Sequence, residues 1–321
     1  MQNVKHFLRA LLAAVLFFPA VAAVQAQTPM VKTNTPGFYR MMLGDFEITA
    51  LSDGTASLEF GKLLKNVTPK KLSELLAREF LNDPVETSVN AYLINTGSKL
   101  VLVDAGAAAL FGPTLGKLSA NLMLAGYRVE QVDMVILTHM HPDHVGGLII
   151  NGQRAFPNAT VIADQSEADY WLNPNEMARA PNDMVKSFFQ GAMASVNPYV
   201  QAGKFQGVSS GTEVTPGIRL NASHGHTAGH ATIEVQSAGQ KLMMWGDLIH
   251  LGAVQFAHPE VTIAFDNDSV HAASQRKKAF VDASKKGYLV AASHLSFPGI
   301  GRVQTQGKGY RWVPLNYSQV R

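Results

Sequence analysis

The chain has 321 residues, with 27 Lys+Arg against 24 Asp+Glu, 46% hydrophobic residues and no cysteine. That apolar share, with 16% charged residues and a mean hydropathy of +0.03, excludes a disordered chain. The lack of cysteine excludes a disulfide scaffold, a thiolate nucleophile and any Cys-bearing zinc site.

In chain order, Lys5 and Arg9 give a basic start, residues 11–18 are apolar, and Val24-Gln25-Ala26 ends in small residues. This is the pattern of a secretory signal peptide over 1–26, cut after Ala26. A membrane anchor is the alternative, but the uninterrupted apolar run falls short of the ~20 residues of a spanning helix. Cleavage removes Lys5 and Arg9, so the formal charge of +3 falls to +1. The sequence pI of about 9.0 therefore makes no case for a nucleic-acid partner. Export fits a periplasmic or secreted protein, with no membrane association after cleavage. Residues 27–37 carry Pro, Thr and Gly without periodicity and read as a flexible mature N-terminus.

Beyond it, apolar runs predict strands at 46–51, 91–94, 99–103, 134–137, 160–163, 231–235, 241–245 and 288–291. Helical patterns are expected at 70–80, 114–125, 166–172, 182–194 and 274–285. With no linker between them, residues 38–321 read as a single α/β domain of two sheets with helices outside. That pattern alone identifies no function.

The informative stretch follows the apolar run at 134–137: His139, Met140, His141, Pro142, Asp143, His144. A lone histidine is more often structural than a ligand, but three with an aspartate within six residues are not a chance pattern. In extended chain His139 and His141 face the same way. Pro142 then ends the extension, so Asp143 and His144 can turn into a following helix. Imidazoles with carboxylates are the ligand set of Zn²⁺ and similar ions. Further candidates stand at strand ends or approaches: His224, His226 and His230 in a glycine-punctuated loop, Asp247 in Trp-Gly-Asp, and His294.

His139 to His144 resembles the HxHxDH motif of the metallo-β-lactamase superfamily, with His226, Asp247 and His294 in the expected order. The segments GDLIHLGAVQF, QRKKAF, KKGYLVAASHLSFPGIG and GKGYRWVPLNYS are similar to its methyl parathion hydrolase branch, a likeness running from about Gly37 to the C-terminus. The resemblance implies an αββα sandwich, a homodimer and a binuclear centre. His139, His141 and His226 would bind one metal, Asp143, His144 and His294 the other, and Asp247 would bridge them; His230 would hydrogen-bond behind the ligands. The cofactors implied are two divalent ions, Zn²⁺ first, with Mn²⁺, Co²⁺ and Fe²⁺ also compatible. Two such ions with two carboxylates and one hydroxide leave a formal +1 centre, suited to hydrolysis by a metal-bridging hydroxide. Asp143 could then protonate the leaving alkoxide, a role the resemblance suggests.

Fold alone does not choose the bond cleaved. Absent cysteine excludes cysteine-liganded β-lactamases, and the cysteine-free class lacks a bridging aspartate. Export and near-neutral charge disfavour RNA and cytosolic thioesters. Lactones and organophosphates remain. His250 stands where lactonases of the superfamily carry a tyrosine beside the substrate carbonyl, which makes it a candidate electrophile or proton donor; packing without a catalytic role is the alternative. By resemblance, Phe111, Trp171, Phe188 and Phe265 are pocket positions, and Leu64, His250, Ile263 and Phe265 replace Arg, Leu, Thr and Leu of dedicated organophosphate hydrolases. The expectation is a hydrolase of small aromatic lactones or esters, of the dihydrocoumarin type, with promiscuous organophosphate activity. A dedicated organophosphate triesterase is one alternative, and a non-catalytic metal-binding protein on the same fold is the other.

Overall fold

A computed structural model describes residues 28–33 and 35–319, so the expected signal peptide lies outside the described residues. Among those described before Phe38, none forms regular structure, and residues 28–33 are exposed.

Chain order builds two seven-stranded sheets one after the other. The first takes Phe38–Leu43, Phe46–Leu58, Val85–Asn95, Leu100–Val103, Met134–Ile136, Thr160–Asp164 and Phe205–Val208, neighbours in that order. Its first four strands are antiparallel and the rest join in parallel. The second takes Glu213–Thr215, Ile218–Ala222, Ala231–Ser237, Gln240–Met244, Leu289–Ala291, Ile300–Gln306 and Gly309–Pro314. Its single parallel pair is Gln240–Met244 with Leu289–Ala291.

Both faces of each sheet are covered, and alternation along the strands shows how. In Leu100–Val103, Val101 and Val103 face an inter-sheet core with Ile233, Leu242 and Met244. Leu100 and Leu102 turn to an outer core with Leu118, Leu122, Phe189 and Val196. On the far side, Val290 and Ala292 pack with Trp245, Phe256 and Phe280. The layers are helix, sheet, sheet, helix, as the sequence predicts.

The main helices start where side chains satisfy their first amides: Thr68 caps Pro69–Arg78, Asn182 caps Asp183–Gln201, and Asp268 caps Ser269–Lys286. The expected helix at 114–125 is shorter, Leu118–Leu124. Buried Asp53 explains why, since its carboxylate takes the amides of Ala107, Gly116 and Leu118 and holds the preceding residues in a turn. Helices at 182–194 and 274–285 are longer than predicted, reaching Gln201 and starting at Ser269. No helix among the described residues is long and apolar enough to cross a membrane.

Candidate metal centre

The site lies where strands of both sheets end. Met134–Ile136 runs into Leu137 and Thr138, and Pro142 opens a one-turn helix, Pro142–Val145. Asp104, just past Leu100–Val103, organises this turn. One of its oxygens takes the Thr138 amide at 2.8 Å; the other takes the Thr138 hydroxyl at 2.7 Å and faces His144 Nδ1 at 2.8 Å. It does so from a left-handed backbone, φ 60°, a conformation that costs a non-glycine residue energy and is kept where surroundings impose it. Gly147 admits the close packing this needs, since a Cβ there would lie 1.9 Å from Ala105 O.

The second sheet delivers the rest. His226 precedes Ala231–Ser237, Asp247 follows Gln240–Met244, and His294 follows Leu289–Ala291. His139, His141, His226 and Asp247 place one donor atom each within 4.8 Å of one another, and so do Asp143, His144 and His294. Asp247 stands between these groups: its Oδ2 is 3.3 Å from His226 Nε2, 3.6 Å from His139 Nε2 and 3.1 Å from His294 Nε2. Its Oδ1 is 3.2 Å from His144 Nε2. His141 Nδ1 and His226 Nε2 face each other at 3.1 Å, and His294 Nε2 is 3.4 Å from Asp143.

Several ring nitrogens turned away from the centre are anchored. His226 Nδ1 meets Asp266 at 2.8 Å and His294 Nδ1 meets the Ser88 carbonyl at 2.9 Å. Such backing fixes ring orientation and tautomer. His230 accepts the Asp247 amide on Nε2 and meets the Ser223 carbonyl through Nδ1, so both nitrogens are committed and it supports the ligands from behind, as expected. Glu167 joins the two His-bearing loops of the first group, accepting from Met140 N, Thr227 Oγ1 and Gly229 N at 2.7 Å each. Burial pushes its carboxyl up to about 7 despite these donors.

The donor set fits divalent ions. His139 Nε2, His144 Nε2 and Asp247 Oδ1 are buried without hydrogen-bond partners, an arrangement that is costly unless something fills the space between them. Burial and neighbouring imidazoles push His139 and His141 well below the usual histidine range, which keeps their lone pairs available. Burial also opposes charge on His144 and His226, yet carboxylates overcome it. Asp247, Asp143 and Asp104 hold His144 well above that range, and Asp247 and Asp266 lift His226 to about 9. The centre draws positive charge, which ions would supply.

A pocket opens over the centre. Of the residues predicted to contact substrate, Phe111, Phe188, Phe265 and His250 line it. Leu64, Ile263 and Trp171 do not. Leu64 and Ile263 pair across a small antiparallel ladder and pack with Phe60, Leu72 and Val254 in a core against which the pocket residues Leu58 and Phe265 also pack. Trp171 is fully buried, its ring 5.3 Å from His141 and 4.5 Å from Phe189, so it backs the site from within the core. The sequence reading missed the opposite wall, formed by Ala56, Leu58, Thr87 and Val89 from two adjacent strands, and the supporting Asp104, Asp266 and Glu167. Asp104 alone carried a signal, a carboxylate ending an apolar run.

Comparison with known proteins agrees with this geometry. Residues 84–294 match the family model of the metallo-beta-lactamase superfamily. An N-acyl homoserine lactonase of Bacillus sp is 26% identical over 202 residues, 59% of this chain and 71% of that protein. A beta-lactamase-like protein 2 homolog of Caenorhabditis elegans is 28% identical over 192 residues, and the chain spans only 54% of its length. Among solved structures, the hydrolase AbOPH is 36% identical with a TM-score of 0.85, covering 89% of this chain and all of that one. AidC, a dizinc quorum-quenching lactonase in complex with a product N-hexnoyl-L-homoserine, is 26% identical with a TM-score of 0.82, covering 88% and 99%.

Proposed function

The chain belongs to the metallo-beta-lactamase superfamily and is one of its metal-dependent hydrolases; from that premise we propose that it opens small aromatic lactones and esters of the dihydrocoumarin type. In this reading it sits in the methyl parathion hydrolase branch, and organophosphate hydrolysis is a side activity. His139, His141 and His226 would hold one ion and Asp143, His144 and His294 the other, with Asp247 available to both. Zn²⁺ is the first choice, with Mn²⁺, Co²⁺ or Fe²⁺ also suited to this donor set. A bound pair lowers the pKa of water and polarises an ester oxygen.

The chain's own residues do the rest. Phe111, Phe188 and Phe265, with Ala56, Leu58 and Val89, present an apolar wall without a cationic side chain, suited to a flat neutral ring. Burial brings His250 down to about 4 despite the opposing pull of Asp247, so at neutral pH it is an uncharged imidazole able to donate one N–H to a carbonyl or leaving oxygen. Asp143, at the pocket floor, would take up the proton released by the attacking water and pass it to the leaving alkoxide. Removal of residues 1–26, residence in the periplasm or outside the cell, and assembly as a homodimer complete the proposal.

The observation that carries this reading is the aromatic-lined pocket with His250 Nε2 3.1 Å from Asp247 Oδ2. Its test is kcat/KM of the metal-loaded protein on dihydrocoumarin, N-hexanoyl homoserine lactone and methyl parathion side by side. Preference for dihydrocoumarin by several orders of magnitude supports it. Preference for methyl parathion makes the chain a triesterase, and preference for the acyl lactone replaces the aromatic substrate with an aliphatic one.

A further inference from the structure

We propose that His250 is an additional metal ligand, offering Nε2 to the ion held by Asp143, His144 and His294 while keeping its proton on Nδ1. This rests on the two-ion reading above.

The geometry around Asp247 barely distinguishes His250 from His294. Each places Nε2 3.1 Å from the same oxygen, Asp247 Oδ2. Their rings lie nearly parallel, with centroids 5.2 Å apart and planes at 17°. Donor atoms of Asp247, His250 and His294 fall within 4.8 Å of one another, as those of the other two groups do. His250 is 3% exposed, yet neither of its nitrogens makes an aligned hydrogen bond, with Asp247 Oδ2 3.1 Å from Nε2. Two idle nitrogens on one buried ring are costly, and a bound ion would employ one of them.

His250 differs from His144, His226 and His294 in how it is held. Those rings are anchored through Nδ1, whereas His250 is fixed through its main chain. Gln255 Oε1 accepts the amides of His250 and Leu251 at 2.8 and 3.0 Å, and Gln255 Nε2 donates to Val261 O at 3.0 Å. Arg276 donates to the same Val261 carbonyl and to Leu248 O. Gln255 and Arg276 are both fully buried, so the turn carrying Asp247 and His250 is clamped from behind. With position set by the backbone, the ring nitrogens are free for the site. An imidazole that ligates through Nε2 retains its proton on Nδ1. The two ions would then differ. One would have three imidazoles and the shared carboxylate; the other would have three imidazoles and two carboxylates, counting the shared one. The fuller set suits ions of higher coordination number, such as Mn²⁺ or Co²⁺, better than tetrahedral Zn²⁺.

The test is stepwise Co²⁺ binding to the metal-free protein, followed by visible absorption and by competition with a chelator, for wild type, His250→Leu and His250→Asn. The expected result is that both variants bind the first equivalent like wild type, which also shows that they fold. The second equivalent should bind at least tenfold more weakly, with an altered ligand-field band. An unchanged second affinity and band in either folded variant overturns the proposal. The outcomes also separate it from the substrate reading. Intact metal binding with lost dihydrocoumarin turnover sinks the ligand role alone, while weakened binding in a protein inactive on dihydrocoumarin sinks the substrate reading alone.

Discussion

The floor and the walls of the pocket are built on different principles. At the floor, polar side chains are held from two sides: His144 between Asp104 and Asp247, His226 between Asp266 and Asp247. The walls are apolar side chains kept in place by packing, such as Phe188 and Phe265 with ring centroids 6.2 Å apart. A hydrogen-bonded floor tolerates almost no displacement, because each ligand atom has one useful position, whereas a packed wall can change shape residue by residue. The chemistry should therefore be fragile to single substitutions and the specificity adjustable by them.

The sharpest break of that contrast is Asp247→Ala. It should release both ions and lower hydrolysis on the order of 10³-fold or more, beyond the loss of one stabilising donor. Metal analysis beside turnover is the check, and a variant that keeps two ions would show that the carboxylate is not shared. Behind the ligands, Asp104→Asn should weaken metal binding roughly 10–100-fold, read by chelator competition. On the wall, Phe265→Ala should raise KM roughly tenfold while kcat and metal content hold, the signature of lost uniform binding. Retained KM with lost metal would place Phe265 with the floor instead.

Glu167 gives a smaller effect with a definite sign. Its folded pKa of about 7 lies above the ordinary 4.5, so between those values the folded chain holds a proton that the unfolded chain has released. Its contribution to stability therefore falls as pH rises from about 4.5 to about 7. Urea unfolding of the metal-free protein at pH 5 and pH 7 should show this as a difference between the two proteins: over the background of histidines whose pKa values burial lowers, Glu167→Gln should change less in the destabilising direction between pH 5 and pH 7 than wild type does. Smallest for specificity is Leu64→Ala. It should cost about 2–5 kcal/mol of stability and shift the ratio of lactone to phosphotriester turnover less than Phe265→Ala does, because Leu64 touches the pocket only through the core against which Leu58 and Phe265 pack.

The floor was far more legible in the sequence than the walls. Ligand residues cluster in HxHxDH and at the ends of apolar runs, so residue type and spacing betray them. Asp266 and Glu167 left no such trace, since each acts on partners 40 or more residues away or on backbone amides. Ala56, Leu58, Thr87 and Val89 look like any strand residues until the sheet pairs Ala56 with Thr87. Periodicity found the central strands but missed Ile300–Gln306 and Gly309–Pro314, whose polar side chains make an amphipathic hairpin without an apolar run. Leu64 and Ile263 stand behind the lining, in the core against which Leu58 and Phe265 pack, and likeness by position says nothing about which face of a short ladder a side chain occupies.

The ligands come from loops of both sheets, and this has a mechanical consequence. His141 and His226 stand 85 residues apart in the chain, so an ion between them closes a long loop and ties one sheet to the other. A covalent link closing a loop of that size contributes about 4–5 kcal/mol in the chain-entropy account. This protein has no cysteine with which to make one. The ions would serve as its removable cross-links, and a chelator would loosen the sandwich as well as silence the site.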